Sequence, residues 1–169
     1  MVTRTKRRSF EQGHLRKMLV IVDESTEVEA ALLYCASRIA HTSGIIVLLN
    51  VIEPQDFQTW MGVQKLHVEE ETNKAKARFR LFRRKLNQAG FEHVVTEEMV
   101  REGVITDEIA KLIDEDPDIG ILVLGAAVDA KGPGPLVSSL AAGNHAGTFP
   151  IPITIVPGDL TLDELRALA

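Results

Sequence analysis

Two places in the chain put polar or backbone groups where chemistry can happen. The first is Asp23, directly after the apolar run Met18-Leu-Val-Ile-Val22. A carboxylate at the end of a buried strand can accept a hydrogen bond from a ribose hydroxyl or a base amine. It can equally cap the helix that follows, and position alone leaves the two readings even. The second is Gly125-Ala-Ala-Val-Asp-Ala-Lys-Gly-Pro-Gly-Pro-Leu-Val-Ser138-Ser139. A glycine at a strand end lets a ligand approach the backbone, and serines opening a helix add hydroxyls to free N–H groups at its positive end. That combination is an anion site in principle. The competing reading is a surface loop followed by an ordinary serine N-cap.

Sharper catalytic motifs are missing. The sequence has no G-x-x-x-x-G-K-[ST] segment and no G-x-S-x-G elbow. Gly132-Pro-Gly134 is followed by Val137 where a dinucleotide fingerprint needs a third glycine. His14, His41, His67, His93 and His145 form no pair at metal-ligand spacing, and the single cysteine, Cys35, falls on the apolar side of a helix as a core residue. A phosphoacceptor receiver domain would need an aspartate at the third strand end and a lysine at the fifth, where this chain has Val100-Arg-Glu and Val156-Pro-Gly.

The elements that must position these residues follow from hydrophobic periodicity. Met18–Val22, Ile45–Ile52 and Ile119–Leu124 read as buried strands, Ile151–Val156 as the last strand, and Val94–Val100 as a partly exposed one because of Glu97 and Glu98. Between them lie helical patterns at 25–42, with Val28, Leu32, Cys35 and Ile39 on one face and Ser25 or Thr26 as cap; at 64–89, with Val68, Ala75, Phe79, Phe82 and Leu86; at 105–115; and from Ser138 to about His145. The long second helix has Glu69, Glu70 and Glu71 near its start and basic residues after them, a polarity that suits the helix dipole and gives the basic run a structural explanation. Pro150, Pro152 and Pro157 around the last strand argue for a sheet edge. The alternation predicts α/β architecture: a single open five-stranded parallel sheet with helices on both faces. Ligands in such folds bind beyond the carboxyl ends of the strands, where strand order reverses.

The chain has 169 residues, 45% of them hydrophobic and 25% charged, which excludes a disordered chain and suits one domain. Residues 1–16 read as a basic N-terminal extension, 17–158 as the folded domain, and 159–169 as a tail in which Thr161-Leu-Asp-Glu164 has capping-box spacing. Within residues 1–17, Arg4, Lys6, Arg7, Arg8, Arg16 and Lys17 face only Glu11, so the remainder is still more acidic than the net charge of −5. An acidic domain is a poor nucleic-acid binder. The basic arm reads most simply as a solvated, mobile terminus, with RNA, membrane or an acidic partner as alternatives. No apolar run approaches a membrane span, no secretory leader is visible, and the expected compartment is the cytoplasm.

Taken together, these segments resemble the universal stress protein family over about Lys17 to Gly158. The carrying residues are Met18-Leu-Val-Ile-Val-Asp23-Glu-Ser25, Val-Leu-Leu-Asn-Val51-Ile-Glu-Pro54, Val100-Arg-Glu-Gly103, Ile-Leu-Val-Leu-Gly125 and Pro-Ile-Thr-Ile-Val-Pro157. The resemblance implies a stress-response or regulatory protein of the adenine-nucleotide α/β group, usually a homodimer formed through the last strand, here 151–156. One branch of the family binds ATP through G-x2-G-x9-G-[ST]. Here that pattern keeps Gly125 and Ser139 but has Val128 and Ser138 in place of the second and third glycines. The resemblance places Asp23 near adenosine and the backbone of Val51 along the base edge, so the adenosine half is kept and the phosphate half altered. The expected site is Asp23, Val51, Gly125, Ser138 and Ser139, holding ATP, AMP or another adenine nucleotide without robust catalysis. The rival is an interaction protein with a vestigial pocket, its function carried by the dimer surface, the basic arm and the 53–63 loop with Phe57, Trp60 and Met61. Gly125→Val or Asp23→Ala is expected to separate the two. An enzyme of a related group ranks last, because it needs S-G-G-x-D-S where this chain has Asp23-Glu-Ser-Thr-Glu-Val28.

Overall fold

Short β-branched runs followed by turn residues form strands, and the 3.6-period segments between them form the crossover helices. In a computed structural model describing residues 4–55, 61–129, 131–142 and 147–169, these are β1 (Arg16–Ile21), α1 (Val28–Ile39), β2 (Gly44–Ile52), α2 (Met61–Gln88), β3 (Val95–Glu102), α3 (Ile105–Glu115) and β4 (Ile119–Ala126). A π-helical turn at Val137–Ala141, β5 (Ile153–Pro157) and α4 (Leu162–Leu168) complete the chain. The strands form one sheet in the order β3-β2-β1-β4-β5, and every neighbouring pair is parallel.

The expected open parallel α/β sheet is therefore present. The central strands are buried on both faces: Leu19, Val20, Val47, Leu48, Leu122 and Val123 have no exposed surface. One face carries α1, which packs against α2 and α4. The right-handed rule for crossovers places α3 and the π-helical turn on the other. In α1 the core positions are Val28, Leu32, Cys35 and Ile39, and in α2 they are Ala75, Phe79, Phe82 and Leu86. The first turns of α2 have no core beneath them, so Val63 and Leu66 are exposed and Val68 is half-buried. α4 begins with the anticipated capping box: the Thr161 hydroxyl accepts from Glu164 N–H, and the Glu164 carboxylate accepts from Thr161 N–H.

Three details differ from the sequence reading. First, α1 spans 28–39 rather than 25–42, and neither Ser25 nor Thr26 caps it through its side chain; the Ser25 hydroxyl donates to Asp23 instead. Second, helical backbone starts at Pro135, so Ser138 and Ser139 lie inside a π-helical turn rather than at a helix start. Third, residues 4–15 do not stream away from the fold. Arg7 donates to the carbonyls of Ile113, Asp116 and Ile119 at the end of α3, Arg8 N–H donates to Pro117 O, and His14 pairs with Asp118 at 2.6 Å. A cation at the carboxyl end of a helix satisfies carbonyls that the helix leaves open, which is why a basic segment docks there. Phe57, Trp60, the Met61 side chain and His145 lie outside the described residues.

Candidate functional site

The strand order makes the site. From β1 the chain steps to β2 and β3 on one side, then returns to β4 and β5 on the other. The reversal opens a crevice at the carboxyl ends of β1 and β4. Asp23 follows β1, Val51 lies near the end of the adjacent β2, and Gly125 lies near the end of the adjacent β4. Three of the five expected residues thus meet on one rim.

Asp23 is half-buried, and its Oδ1 accepts from the Ser25 N–H at 2.8 Å and from the Ser25 hydroxyl. This is the local turn-capping role. Its second oxygen has no partner among the described residues, so capping and ligand binding are compatible.

Val51 gains its exposed backbone edge from a neighbour the sequence reading did not single out. In a parallel ladder the N–H and C=O of alternate residues face the same neighbouring strand. Leu49 O accepts from Val22 N–H at 2.8 Å, so the backbone groups of Leu49 and Val51 both face β1. The next rung would run from Val51 N–H to Val22 O. Instead the buried Asn50 side chain donates to Val22 O at 2.8 Å. The ladder stops there, and Val51 keeps its N–H and C=O without backbone partners among the described residues. A donor beside an acceptor is complementary to the amine and ring nitrogen on the edge of adenine. The available signal for Asn50 was a single amide closing the apolar run Ile45–Leu49.

The β4 side is built differently. Gly125 is tight against the start of α1: an added Cβ would lie 2.1 Å from Glu27 O. Gly158 is also close to Glu27, 2.7 Å from its Cβ on the same basis. The following loop closes on itself. Ala127 N–H donates to Pro133 O at 2.9 Å, Lys131 N–H to Asp129 Oδ1 at 2.8 Å, and Gly132 N–H to Asp129 O at 3.4 Å. Positive φ angles at Gly132 (115°) and Gly134 (90°) make the turn possible. Ser138 N–H donates to Gly134 O at 3.1 Å and the Ser139 hydroxyl to Pro135 O, and both serines are exposed. The Ser138 N–H is therefore already engaged. Val128 is exposed and has ordinary negative φ, so no left-handed residue replaces the glycine of the ATP pattern at that position.

The other residue without a sequence signal is Glu27. A glutamate opening a helix reads as a solvated first-turn acid. Here it is only 7% exposed, and its Oε1 lies 2.6 Å from where a Gly134 Cβ would be. The crevice therefore contains an open backbone donor–acceptor pair at Val51, the half-buried Asp23 carboxylate, and a loop that closes on itself beside Glu27. No side chain here is set up as a nucleophile. Cys35 is buried in α1, and burial pushes its thiol far above the range in which a thiolate forms. Among the described residues no group of three or more His, Cys, Asp or Glu is placed to hold a metal.

The same architecture occurs in solved structures. Universal stress protein UspA from Lactobacillus plantarum is 18% identical, aligned over 83% of this chain and 97% of its own, with a TM-score of 0.63. The universal stress protein from Archaeoglobus fulgidus in complex with dAMP is 16% identical over 83% of this chain and 97% of that one, with a TM-score of 0.55. A universal stress protein family protein from Arabidopsis thaliana with AMP bound is 18% identical over 84% and 91%, with a TM-score of 0.53. At these identities the likeness speaks for the fold. No curated protein matches the sequence. The model of the universal stress protein family matches residues 14–157, nearly the whole folded part, and the chain therefore belongs to that family.

Proposed function

We propose that the protein is a regulatory, stress-response member of its family that binds a small adenine-containing ligand at the β1–β4 crevice and does not turn it over. The observation that carries this reading is the interrupted rung at Val51. Asn50 takes the Val22 carbonyl and leaves a paired donor and acceptor facing the crevice, with the second oxygen of Asp23 on the next strand. Base over β2 and sugar over β1 fit a strand spacing of about 4.8 Å. The adenine nucleotides bound by the Archaeoglobus and Arabidopsis neighbours are consistent with this ligand class. Gly125 shapes the wall of the pocket, and Ser138 and Ser139 reach it only at the outer end of the loop. The folded domain is 17–158, preceded by the docked basic arm, and the compartment proposed is the cytoplasm. Among the described residues no helix is long and apolar enough to cross a membrane.

The test is calorimetric titration of the full chain with adenosine, AMP, ATP and cyclic AMP against guanosine and GTP, repeated with Asp23→Ala. At least one adenine compound is expected to bind, the guanine compounds are not, and Asp23→Ala should weaken binding about tenfold by removing a charged hydrogen-bond partner. Absence of binding by every adenine compound sinks the proposal and leaves the interaction protein with a vestigial pocket.

A homodimer through the last strand also has a specific observation behind it. Among the described residues β5 pairs only with β4 and presents an open edge, and Ile155 on it is 46% exposed. An apolar edge strand left in water is a template for pairing with another chain. Sedimentation equilibrium is expected to give twice the monomer mass, and Ile155→Lys to give the monomer. A wild-type monomer at tens of micromolar would overturn the dimer without touching the pocket.

A further inference from the structure

We propose a second ligand site at the opposite end of the sheet from the crevice. It is a cavity of about 440 Å³ between the docked N-terminal arm, the amino ends of β1 and β4, and the carboxyl end of α1. Its chemistry suits a small monocarboxylic acid with an apolar body, of the medium-chain fatty acid class. All five strands run parallel, so Arg16, Met18 and Gly120 near their amino ends lie a strand's length from Asp23, Val51 and Gly125. The cavity shares no residue with the adenine reading and does not depend on it.

The volume is in the range of small-molecule sites, which pair an apolar lining with a few placed polar groups. Met18, Ile39 and Ile121 supply the apolar floor. The arm supplies the wall. Arg7 and His14 fasten it to the end of α3, and the turns between them, closed by Glu11 N–H to Arg8 O and His14 N–H to Glu11 O, stand Phe10 beside that floor. The Phe10 ring is 80% exposed, so a ligand that covers it gains apolar burial. The rim is cationic. The Arg16 guanidinium lies 4.5 Å from the Phe10 ring centre and that of Arg38 lies 5.9 Å from the Tyr34 ring centre, and neither has an ion-pair partner among the described residues. Lys17, also on the lining, is already held by Asp116 and Glu97. No aspartate or glutamate among the described residues lines the cavity, and with the carboxylate at Ala169 counted the two guanidiniums still leave a positive surplus. An arginine fork matches a carboxylate in geometry as well as charge. The apolar body therefore lies on the floor against Phe10, with the carboxylate at the arginine rim.

The experiment is calorimetric titration of the full chain with decanoate, decanol and decylammonium at monomeric concentrations, which share one tail and differ in head group. Wild type is expected to bind decanoate about tenfold more tightly than decanol, the worth of a charge-assisted hydrogen bond, and decylammonium most weakly. The double variant Arg16→Gln/Arg38→Gln should bring decanoate down to the level of decanol. Gly120→Leu should abolish binding of all three: a Cβ there would meet only Ser9 Oγ, at 3.8 Å, so the leucine has room to grow into the cavity. The wild-type ranking and the arginine variant, both of whose changes are at exposed side chains, decide the matter if Gly120→Leu does not fold. No binding of decanoate, any other order of the three head groups, an affinity unmoved by the arginine variant, or binding that survives Gly120→Leu in a folded protein overturns the proposal. Displacement of decanoate by an adenine compound would put it in the crevice and overturn it as well.

Discussion

Gly125→Ala is expected to lower the unfolding free energy by about 3 kcal/mol, at the upper end of what overpacking costs a well-packed interior. The cause is a single added atom. A Cβ at this position would sit 2.1 Å from Glu27 O and 2.5 Å from Glu27 C, both backbone atoms of the turn that starts α1. Flexible side chains can move aside, but this backbone is held by Val28 and Leu32, which have no exposed surface. Relief requires lifting the first turn of α1 off β4 and β5. Gly132→Ala is the control. Its Cβ would meet nothing within 4 Å, so only the left-handed backbone strain at φ 115° opposes it, about 1–2 kcal/mol. Urea unfolding of both variants decides the matter. Equal midpoints would mean that the start of α1 is not seated on Gly125. This result also removes Gly125→Val as a probe of the pocket, since it changes the fold and the crevice together. Asp23→Ala remains a cleaner probe.

The fold was legible because its signals are long and local. Runs such as Ile45–Leu49 are too apolar for anything but a buried strand, and glycines and prolines punctuate them. The edge position of β5 was readable from Pro150, Pro152 and Pro157. Asp23, Val51 and Gly125 were also readable, because each sits at the carboxyl end of a strand run and the topology brings those ends together. What sequence could not convey is which groups are already engaged. Ser138 and Ser139 look like a helix start, yet helical backbone begins at Pro135 and takes the Ser138 N–H. Glu27 looks solvated, yet Gly125 and Gly158, far away in sequence, close over it. The basic arm looks like a mobile tail because periodicity carries no information about carbonyls waiting at the end of α3. In each case the deciding partner is a backbone group, near in the chain for Ser138 and distant for Glu27 and the basic arm, and backbone atoms leave no trace in residue identity.

Lys17 provides the second large effect, and its sign with pH can be worked out. The side chain is 15% exposed, with Nζ 2.8 Å from Asp116 Oδ2 and 3.1 Å from Glu97, so it ties β1 to the end of α3 and, across β2, to β3. Burial alone would push the ammonium pKa down. Hydrogen bonds and attraction from Asp116 and then Glu97 outweigh that and hold it above the usual lysine range. A raised lysine pKa in the folded state means that the ion cluster stabilises fully below the unfolded value of about 10.4, and that this contribution is lost as pH rises through the higher folded value. Lys17→Ala is therefore expected to cost about 2 kcal/mol at neutral pH, less than for a fully buried pair because Glu97 is one-third exposed and water screens it. Lys17→Met keeps the packing of the stem and should cost less, the difference between the two variants measuring the stem rather than the charge. Urea unfolding of wild type and Lys17→Met at pH 8 and again above pH 11 tests the linkage. The gap between them should narrow at the higher pH, because wild type loses its ammonium and the variant has none to lose. A gap that stays constant, or one that widens, would mean that the stability comes from packing of the four-carbon stem and not from the charge.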